Sequence, residues 1–199
     1  MQIQTEAEHK MLLYMIRHGQ SEANAKNIHS GWGQYKLTER GECDAAGAGE
    51  KLRGIKFDRV YTSDLVRAMR TREIALPDVE PELTELIRER HVGDIVGKSP
   101  EECREIYGDV YVNAIASLDF SPFGGETLEE HRERVEKFLK MLEADPCERV
   151  AAFCHHGTLL RMYNIATKTP SNDRPKCKNC CIAVFEYSDG EWSLKEWDI

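Results

Sequence analysis

Residues 12–24, LLYMIRHGQSEAN, decide the fold. The first five form a continuous apolar run, which is typical of a buried parallel strand. The run ends at Arg17-His18-Gly19, and ligand sites of open α/β sheets lie at the carboxyl ends of such strands. The order therefore predicts that a cation and an imidazole border a small-molecule site. The alternative is a strand-end histidine that only caps a turn.

The same order recurs late in the chain, where the apolar run 150–154 precedes His155-His156-Gly157 and a helical stretch. Between the two sites, a short strand over 57–62 precedes a helix that carries Arg67 in its first turn. Two strand-to-His-Gly junctions in one sheet predict two imidazoles that face each other across one site. We interpret His18 as a nucleophile and Arg17 as part of an oxyanion clamp.

These motifs, taken in order, resemble the histidine phosphatase superfamily, in its phosphoglycerate-mutase-like branch. The matching residues are Arg17-His18-Gly19, Asn24, Leu37-Thr38-x-x-Gly41, Ser63-x-Leu65-x-Arg67-Ala68-x-x-Thr71, Gly124-Gly125-Glu126-Thr127 and His156-Gly157. The resemblance runs from about residue 12 to the C-terminus. It implies a three-layer α/β/α fold with a mostly parallel central sheet, in one catalytic domain over 11–199. The polar residues 1–10 are expected to be a loose leader.

The resemblance also implies roles for particular residues. His18 would form a phosphohistidine, with its second ring nitrogen held by a nearby backbone carbonyl. The general acid/base would be Glu89, although spacing alone does not distinguish it from Glu85. Burial beside the bound phosphate is expected to raise the pKa of Glu89. The expected phosphoryl-binding residues are Arg17, Asn24, Arg67, His156 and Gly157.

The implied reaction is hydrolysis of a small phosphorylated substrate. Phosphoryl transfer requires positioning and charge stabilisation, and arginine forks bind phosphate oxygens in pairs. Because this clamp is cationic and no carboxylate cluster of Mg²⁺ type is evident, we expect neither a metal nor a cofactor. A bisphosphoglycerate-dependent phosphoglycerate mutase is the alternative, and a non-catalytic phosphate-binding protein is a third. The short separation of Glu89 and His156 favours a phosphatase, since mutases typically carry an insertion there.

Composition narrows the class of protein further. The chain has 199 residues and a formal net charge of −8, which argues against a nucleic-acid-binding face. An anionic substrate must therefore be held by local arginines. No apolar run approaches the length of a membrane span, and no signal peptide is visible. Seven cysteines, an odd number, favour free thiols in the reducing cytoplasm. We expect a monomer or a homodimer.

Periodicity and turn residues predict the remaining elements. Cys177-x-x-Cys180 is compatible with zinc, but no second ligand pair is evident and we expect buried thiols. Substrate selectivity is expected in segments 25–36, 98–123 and 169–176. Trp32, Tyr35 and Phe123 either line that pocket or pack against the core, with packing favoured for each. The predicted strands are 11–16, 57–62, 80–86 and a C-terminal edge hairpin from 182; the predicted helices are 40–53, 64–76, 100–107, 110–118 and 127–143, and 24–36 is predicted as loop.

Overall fold

The computed structural model describes residues 10–199, so the expected leader lies outside the described residues except for Lys10. The described strands are β1 (Met11–Arg17), β2 (Arg59–Ser63), β3 (Glu82–Thr84), β4 (Arg149–Cys154), β5 (Ile182–Ser188) and β6 (Glu191–Trp197). The described helices are α1 (Glu22–Ala25), α2 (Glu39–Leu52), α3 (Val66–Ala75), α4 (Pro100–Tyr107), α5 (Asp109–Ser117), α6 (Leu128–Ala144) and α7 (His156–Thr167).

The described strands form one sheet in the order β3-β2-β4-β1-β5-β6. Strands β3, β2, β4 and β1 run parallel, and β5 and β6 form the predicted antiparallel hairpin at the edge. Arg17 is level with Cys154 in the register of β1 and β4. The carboxyl ends of these two central strands therefore meet, which brings both His-Gly junctions to one edge of the sheet.

Alternating residues of β1 face two separate cores. Leu13 packs on one side with Phe138 of α6 and Leu159 of α7. Ile16 packs on the other side with Leu52 of α2, in a core that also includes residues of α3. Helices thus cover both faces of the sheet, and the predicted three-layer α/β/α architecture is confirmed. Because both faces are buried, the central strands read as the apolar runs seen in the sequence.

Helix α6 begins at the predicted capping box. The Thr127 Oγ1 atom accepts from the Glu130 backbone N–H at 3.1 Å, and Glu130 Oε2 accepts from the Thr127 N–H at 2.8 Å. Each side chain satisfies a backbone donor that has no partner within the helix. The helix then buries Val135, Phe138 and Leu142.

Two predicted boundaries differ from the structure. The strand expected over 80–86 is only Glu82–Thr84, because the chain turns into a 3₁₀ helix over Glu85–Ile87 and leads Glu89 towards the strand ends. The short helix α1, which includes Asn24, overlaps the start of the expected loop 24–36. It forms because Ser21 Oγ accepts from the Asn24 N–H at 3.3 Å while Asn24 Oδ1 accepts from the Ser21 N–H at 3.1 Å.

Two glycines allow the chain after His18 to cross the start of α2. A Cβ atom on Gly19 would lie 2.2 Å from the Gly41 carbonyl oxygen, and one on Gly41 would lie 2.0 Å from the Gln20 carbonyl oxygen. Both contacts are with backbone, which cannot rotate away as a side chain can. This close crossing places the segment that carries His18 directly on α2.

We therefore expect Gly41→Ala to lower the free energy of unfolding by about 3 kcal/mol, as overpacking against a fixed backbone does. Gly47→Ala is the matched control in the same helix, because a Cβ there meets nothing within 4 Å. It should raise the free energy of unfolding by about 0.5–1 kcal/mol through helix propensity. Urea unfolding of both variants measures the difference, and equal stability would contradict the close crossing.

Candidate active site

His18 lies immediately after β1 and is 2% exposed. Its Nδ1 lies 2.7 Å from the Gly19 carbonyl oxygen, so this hydrogen bond assigns the proton to Nδ1 and leaves a lone pair on Nε2. A nearby backbone carbonyl in this position is what the resemblance to the histidine phosphatase superfamily implied. Burial lowers the pKa of His18 well below its ordinary value, and the charges of Arg67 and Arg17 lower it further. The ring is therefore neutral at neutral pH, and its unprotonated nitrogen is Nε2.

Arg67 is fully buried in the first turn of α3 and holds the site together. Its Nε donates to His18 Nε2 at 3.3 Å, while Nη1 and Nη2 donate to the carbonyls of Gly33 and Gly31, each at 2.8 Å. The guanidinium has five N–H donors, so two remain for a phosphoryl oxygen. Burial lowers the pKa of Arg67 to about 10, which still leaves it charged at neutral pH.

Arg17 is the last residue of β1 and lines the same cavity as His18. Its Nη1 donates to the Cys177 carbonyl at 2.5 Å, which anchors the side chain to the segment before β5. Its Nε is buried, and among residues 10–199 it has no hydrogen-bond partner. A buried guanidinium nitrogen without an acceptor suits an anion, because the anion would supply the missing hydrogen bond.

Glu89 follows the 3₁₀ helix after β3, lines this cavity and contacts the first turn of α7. Its Oε1 and Oε2 accept from the Gly157 backbone N–H at 3.0 and 3.2 Å, and Oε1 accepts from the Arg90 N–H at 2.9 Å. A Cβ atom on Gly157 would lie 2.3 Å from Glu89 Oε1, so any other residue there would displace the carboxylate from this position. The Gly157 N–H, which the resemblance assigns to phosphoryl binding, donates to the Glu89 carboxylate in this structure.

In the protein without a bound anion, the pKa of Glu89 shifts in the direction opposite to the expected one. Burial by itself raises the pKa of Glu89, but His156, the Arg90 N–H and Arg67 outweigh it, and the pKa is lower than the ordinary value. The charge of His156 is the largest of the lowering causes, followed by the hydrogen bond from the Arg90 N–H, and both favour the charged form of the carboxylate. A rise in this pKa would have to come from a bound anion.

The two late histidines occupy different places. His156 is the first residue of α7, is exposed and lines the cavity. His155 is fully buried, and its ring centroid lies 5.1 Å from that of His18. Its Nε2 lies 2.8 Å from Ser63 Oγ at the end of β2. The imidazole that packs beside His18 is thus His155, which the motif comparison did not single out.

Asn24 lines the cavity, as expected, and also caps α1. Its Oδ1 accepts from the Ser21 N–H and, at 3.2 Å, from Asn179 Nδ2. Asn24 therefore lines the pocket and also completes the capping box of α1. Because the carbonyl end of its amide is engaged, the Nδ2 group is the end that can donate to a phosphoryl oxygen.

Sequence reasoning missed the residues that hold the Glu89 segment. Arg134 of α6 donates from Nη1 to the carbonyls of Leu86 and Arg88, each at 3.0 Å, and from Nη2 to the Glu89 carbonyl at 3.1 Å. Its Nε donates to Glu126 Oε1 at 2.7 Å. Glu126 of the Gly-Gly-Glu motif is the sequence feature that could have pointed to Arg134, because a half-buried carboxylate needs a cation as its partner.

His131 has the structural role expected for it. It is fully buried, its Nδ1 accepts from Arg90 Nε at 3.3 Å, and its Nε2 lies 3.4 Å from Thr158 Oγ1. The Thr158 hydroxyl donates to the Arg88 carbonyl at 2.6 Å. These contacts tie α6 and α7 to the segment on either side of Glu89.

The cavity has a volume of about 440 Å³. Each of the three predicted selectivity segments contributes to its wall, through His29, Leu118 and Ser171 among others. The aromatic residue in the lining is Phe120, whereas Phe123 is buried in the core with Phe120. Packing, the interpretation favoured for Phe123, is confirmed.

Two further features of the described residues concern metal binding and membrane spanning. Cys177, Cys180 and Cys181 are buried thiols, as expected, and within residues 10–199 no three His, Cys, Asp or Glu side chains are grouped as metal ligands. In the same described residues, no helix is both long enough and apolar enough to cross a membrane.

Buried neutral histidines predict a loss of stability in acid. Burial lowers the pKa values of His18, His131 and His155 well below their ordinary value of 6.5. Below pH 6.5 the unfolded chain binds protons at these residues and the folded chain does not, so the free energy of unfolding falls as the pH falls. Each contributes up to about 1.4 kcal/mol per pH unit. Urea unfolding between pH 7.5 and 5.5 should show this slope, and His155→Asn should flatten it; an unchanged slope would contradict the assignment.

Comparison with known proteins agrees with this geometry. A family model of the histidine phosphatase superfamily, branch 1, matches residues 13–199. Among relatives named 2,3-bisphosphoglycerate-dependent phosphoglycerate mutase, that of Parvibaculum lavamentivorans is 42% identical over 163 residues, which are 75% of this chain and 76% of the relative. That of Beijerinckia indica is 40% identical over 132 residues, 62% of this chain and 64% of the relative, so the match spans less than two thirds of its length.

The fold is shared with solved structures as well. The crystal structure of the alpha-ribazole phosphatase from Shigella flexneri superposes with a TM-score of 0.87 at 23% identity, over 95% of this chain and 96% of that one. The architecture, the order of the motifs and the family match therefore agree, and the resemblance seen in the sequence is confirmed. This chain belongs to branch 1 of the histidine phosphatase superfamily, whose members include phosphatases and phosphoglycerate mutases.

Proposed function

We propose that this protein is a phosphatase that hydrolyses a small phosphomonoester through a phosphohistidine on His18. One observation carries the proposal. The neutral Nε2 of His18 is presented beside Arg67, in a cavity that Arg17 and Glu89 also line. A nucleophile, a cationic clamp and a carboxyl group in one cavity are the set that phosphohistidine chemistry requires.

In the first step, His18 Nε2 gives up the hydrogen bond from Arg67 Nε and attacks phosphorus in line with the leaving group. The N–P bond forms as the P–O bond to the leaving alkoxide breaks. Arg17 and Arg67 stabilise the charge on the equatorial oxygens, and His156 and Asn24 can donate further hydrogen bonds. The Nδ1–H···O bond to Gly19 stabilises the positive charge that develops on the ring.

Glu89 transfers the proton in both steps. Protonated Glu89 gives its proton to the leaving alkoxide, and its carboxylate then takes a proton from the water that attacks the phosphohistidine. The protein's own groups lower the Glu89 pKa, so Glu89 is a carboxylate before substrate binds. It therefore becomes protonated only as the substrate binds. The negative charge of the bound phosphoryl group opposes the carboxylate and raises its pKa in the complex. The guanidinium groups supply the charge stabilisation, so the mechanism needs no metal.

The second candidate is a phosphoglycerate mutase that uses a bisphosphoglycerate primer. A relative that carries this name is 42% identical to the chain over 163 residues, and the same catalytic residues would serve a mutase. The reactions differ only in what accepts the phosphoryl group from His18, namely water or a second hydroxyl.

Product analysis separates the candidates. A panel of phosphomonoesters that includes 3-phosphoglycerate is incubated with EDTA, and each is tested with and without catalytic 2,3-bisphosphoglycerate. A phosphatase releases stoichiometric phosphate without the primer. Formation of 2-phosphoglycerate in excess of phosphate, dependent on the primer, would establish the mutase instead. A protein that gives neither product nor a phosphohistidine would be a non-catalytic phosphate-binding protein.

A further inference from the structure

Trp32 connects two parts of the candidate site without lining its cavity. It is half-buried in the loop between α1 and α2, and the described cavity lining includes Gly31 but not Trp32. The carbonyls on either side of this residue, those of Gly31 and Gly33, each accept from the Arg67 guanidinium at 2.8 Å. The indole Nε1 donates to the Glu89 carbonyl at 2.7 Å. Three consecutive residues therefore hold both the cationic clamp and the segment of the proton donor.

The Glu89 carbonyl belongs to the peptide group whose N–H is that of Arg90. A trans peptide group is planar, so its carbonyl and its N–H point in opposite directions and turn together. The Arg90 N–H donates to Glu89 Oε1 at 2.9 Å. The Trp32 indole, which fixes the carbonyl, therefore also fixes the direction of the N–H that holds the carboxylate. If this peptide group rotated, the carboxylate would lose the donor.

Arg134 of α6 is the second donor to the Glu89 carbonyl, from Nη2 at 3.1 Å. A carbonyl oxygen has two lone pairs, so it can accept from both side chains at once. Arg134 also donates to the carbonyls of Leu86 and Arg88, and it therefore supports the whole segment. The indole of Trp32 has a single N–H donor, and that donor is used on the Glu89 carbonyl alone. Trp32 is thus the contact specific to this peptide group.

The indole is itself held by a cation. The Arg88 guanidinium carbon lies 4.7 Å from the centre of the Trp32 ring, within the range of a cation–π contact. Arg88 Nε donates in turn to Asp64 Oδ1 at 2.6 Å, and Asp64 lies between β2 and α3. The indole thus has a second connection to α3, the helix that carries Arg67.

We propose that Trp32 is a positioning residue for proton transfer, which holds the Glu89 carboxyl group in a fixed arrangement with the Arg67 clamp through the Glu89–Arg90 peptide group. This inference rests on the proposed function, since it assigns Trp32 to the step in which Glu89 protonates the leaving group. That step requires the proton donor to lie within hydrogen-bond reach of the leaving oxygen while the clamp holds the phosphoryl group. Trp32 acts through Glu89 and is not itself a catalytic residue.

The test compares the wild type with Trp32→Phe, which keeps an aromatic ring and removes the N–H donor. Trp192→Phe is the matched control, because the Trp192 indole on edge strand β6 donates to Glu143 Oε1 at 2.7 Å, outside the cavity lining. The substrates are p-nitrophenyl phosphate, whose leaving group departs without a proton, and 2-phenylethyl phosphate, whose alkoxide needs one. Burst-phase rates measure the formation of phosphohistidine from each ester.

We expect Trp32→Phe to lower the burst-phase rate for 2-phenylethyl phosphate by about tenfold and that for p-nitrophenyl phosphate by less than about twofold, because only the alkyl ester depends on protonation by Glu89. Added to Glu89→Gln, Trp32→Phe should change the rate for the alkyl ester by less than about twofold, since its effect passes through Glu89. Trp192→Phe should keep both rates within about twofold of the wild type.

A purely structural role for Trp32 would slow both esters alike. That result would overturn the proposal. So would an unchanged rate for the alkyl ester, or a tenfold loss that persists when Trp32→Phe is added to Glu89→Gln.

Failure of the proposed function has a different signature. If the wild type hydrolyses neither ester, the phosphatase assignment fails. Whenever the alkyl ester is not hydrolysed, amide hydrogen exchange tests the position of Glu89 without turnover. The N–H groups of Arg90 and Gly157 both donate to the Glu89 carboxylate, so their exchange rates report whether it stays in place. Exchange about fivefold faster at both amides in Trp32→Phe, and unchanged in Trp192→Phe, would support the positioning role, whereas equal exchange in all three proteins would overturn it.

Discussion

His18→Ala is expected to lower kcat by about 10⁵-fold or more, since removal of a catalytic nucleophile leaves only the contribution of binding and charge stabilisation. The phosphohistidine should disappear with it. Rapid quenching with ³²P-labelled substrate, followed by a test for acid-labile and base-stable protein-bound phosphate, measures the intermediate directly.

A matched control is available among the histidines. His91 does not line the cavity, and His91→Ala should keep kcat within about threefold of the wild type with its phosphohistidine intact. Circular dichroism and thermal unfolding of both variants show that the fold persists. Turnover that survives in His18→Ala would mean that the nucleophile is a different group.

Glu89→Gln is expected to have the second large effect on the rate of hydrolysis, and the size of the loss should depend on the leaving group. An alkoxide leaves poorly without a proton, so we expect hydrolysis of an alkyl phosphate to fall by about 10³-fold. A nitrophenolate leaves without a proton, so p-nitrophenyl phosphate should show less than about a tenfold loss in its burst phase. The ratio of the two rates, measured for wild type and variant, is the observable.

Glu85→Gln is the control for this assignment, because spacing alone did not distinguish the two carboxylates. The Glu85 side chain is 70% exposed and lies outside the cavity lining. Its replacement should change neither rate by more than about twofold. A Glu89→Gln variant that slows both substrates equally would show that Glu89 is not the proton donor.

Much of the fold could be predicted because the relevant signals are local. The apolar run before Arg17 and the capping box at Thr127 each depend on neighbouring residues, and both predictions were confirmed. The strand expected over 80–86 forms only over Glu82–Thr84, because its bounds depend on contacts with distant segments. Its polar residues pair only with β2, and contacts made by Arg134 from a distant helix turn the chain towards the cavity.

In the candidate site, too, some features could be predicted from the sequence and others could not. The sequence by itself determined the order of motifs, the family and the set of residues around His18, because strand ends and His-Gly junctions are visible as short patterns. Only the tertiary structure decided that the Gly157 N–H donates to Glu89, that His155 packs beside His18, and that Trp32 holds the Glu89 carbonyl. The physical reason is that these contacts join separate segments, and their distances exist only once the chain is folded.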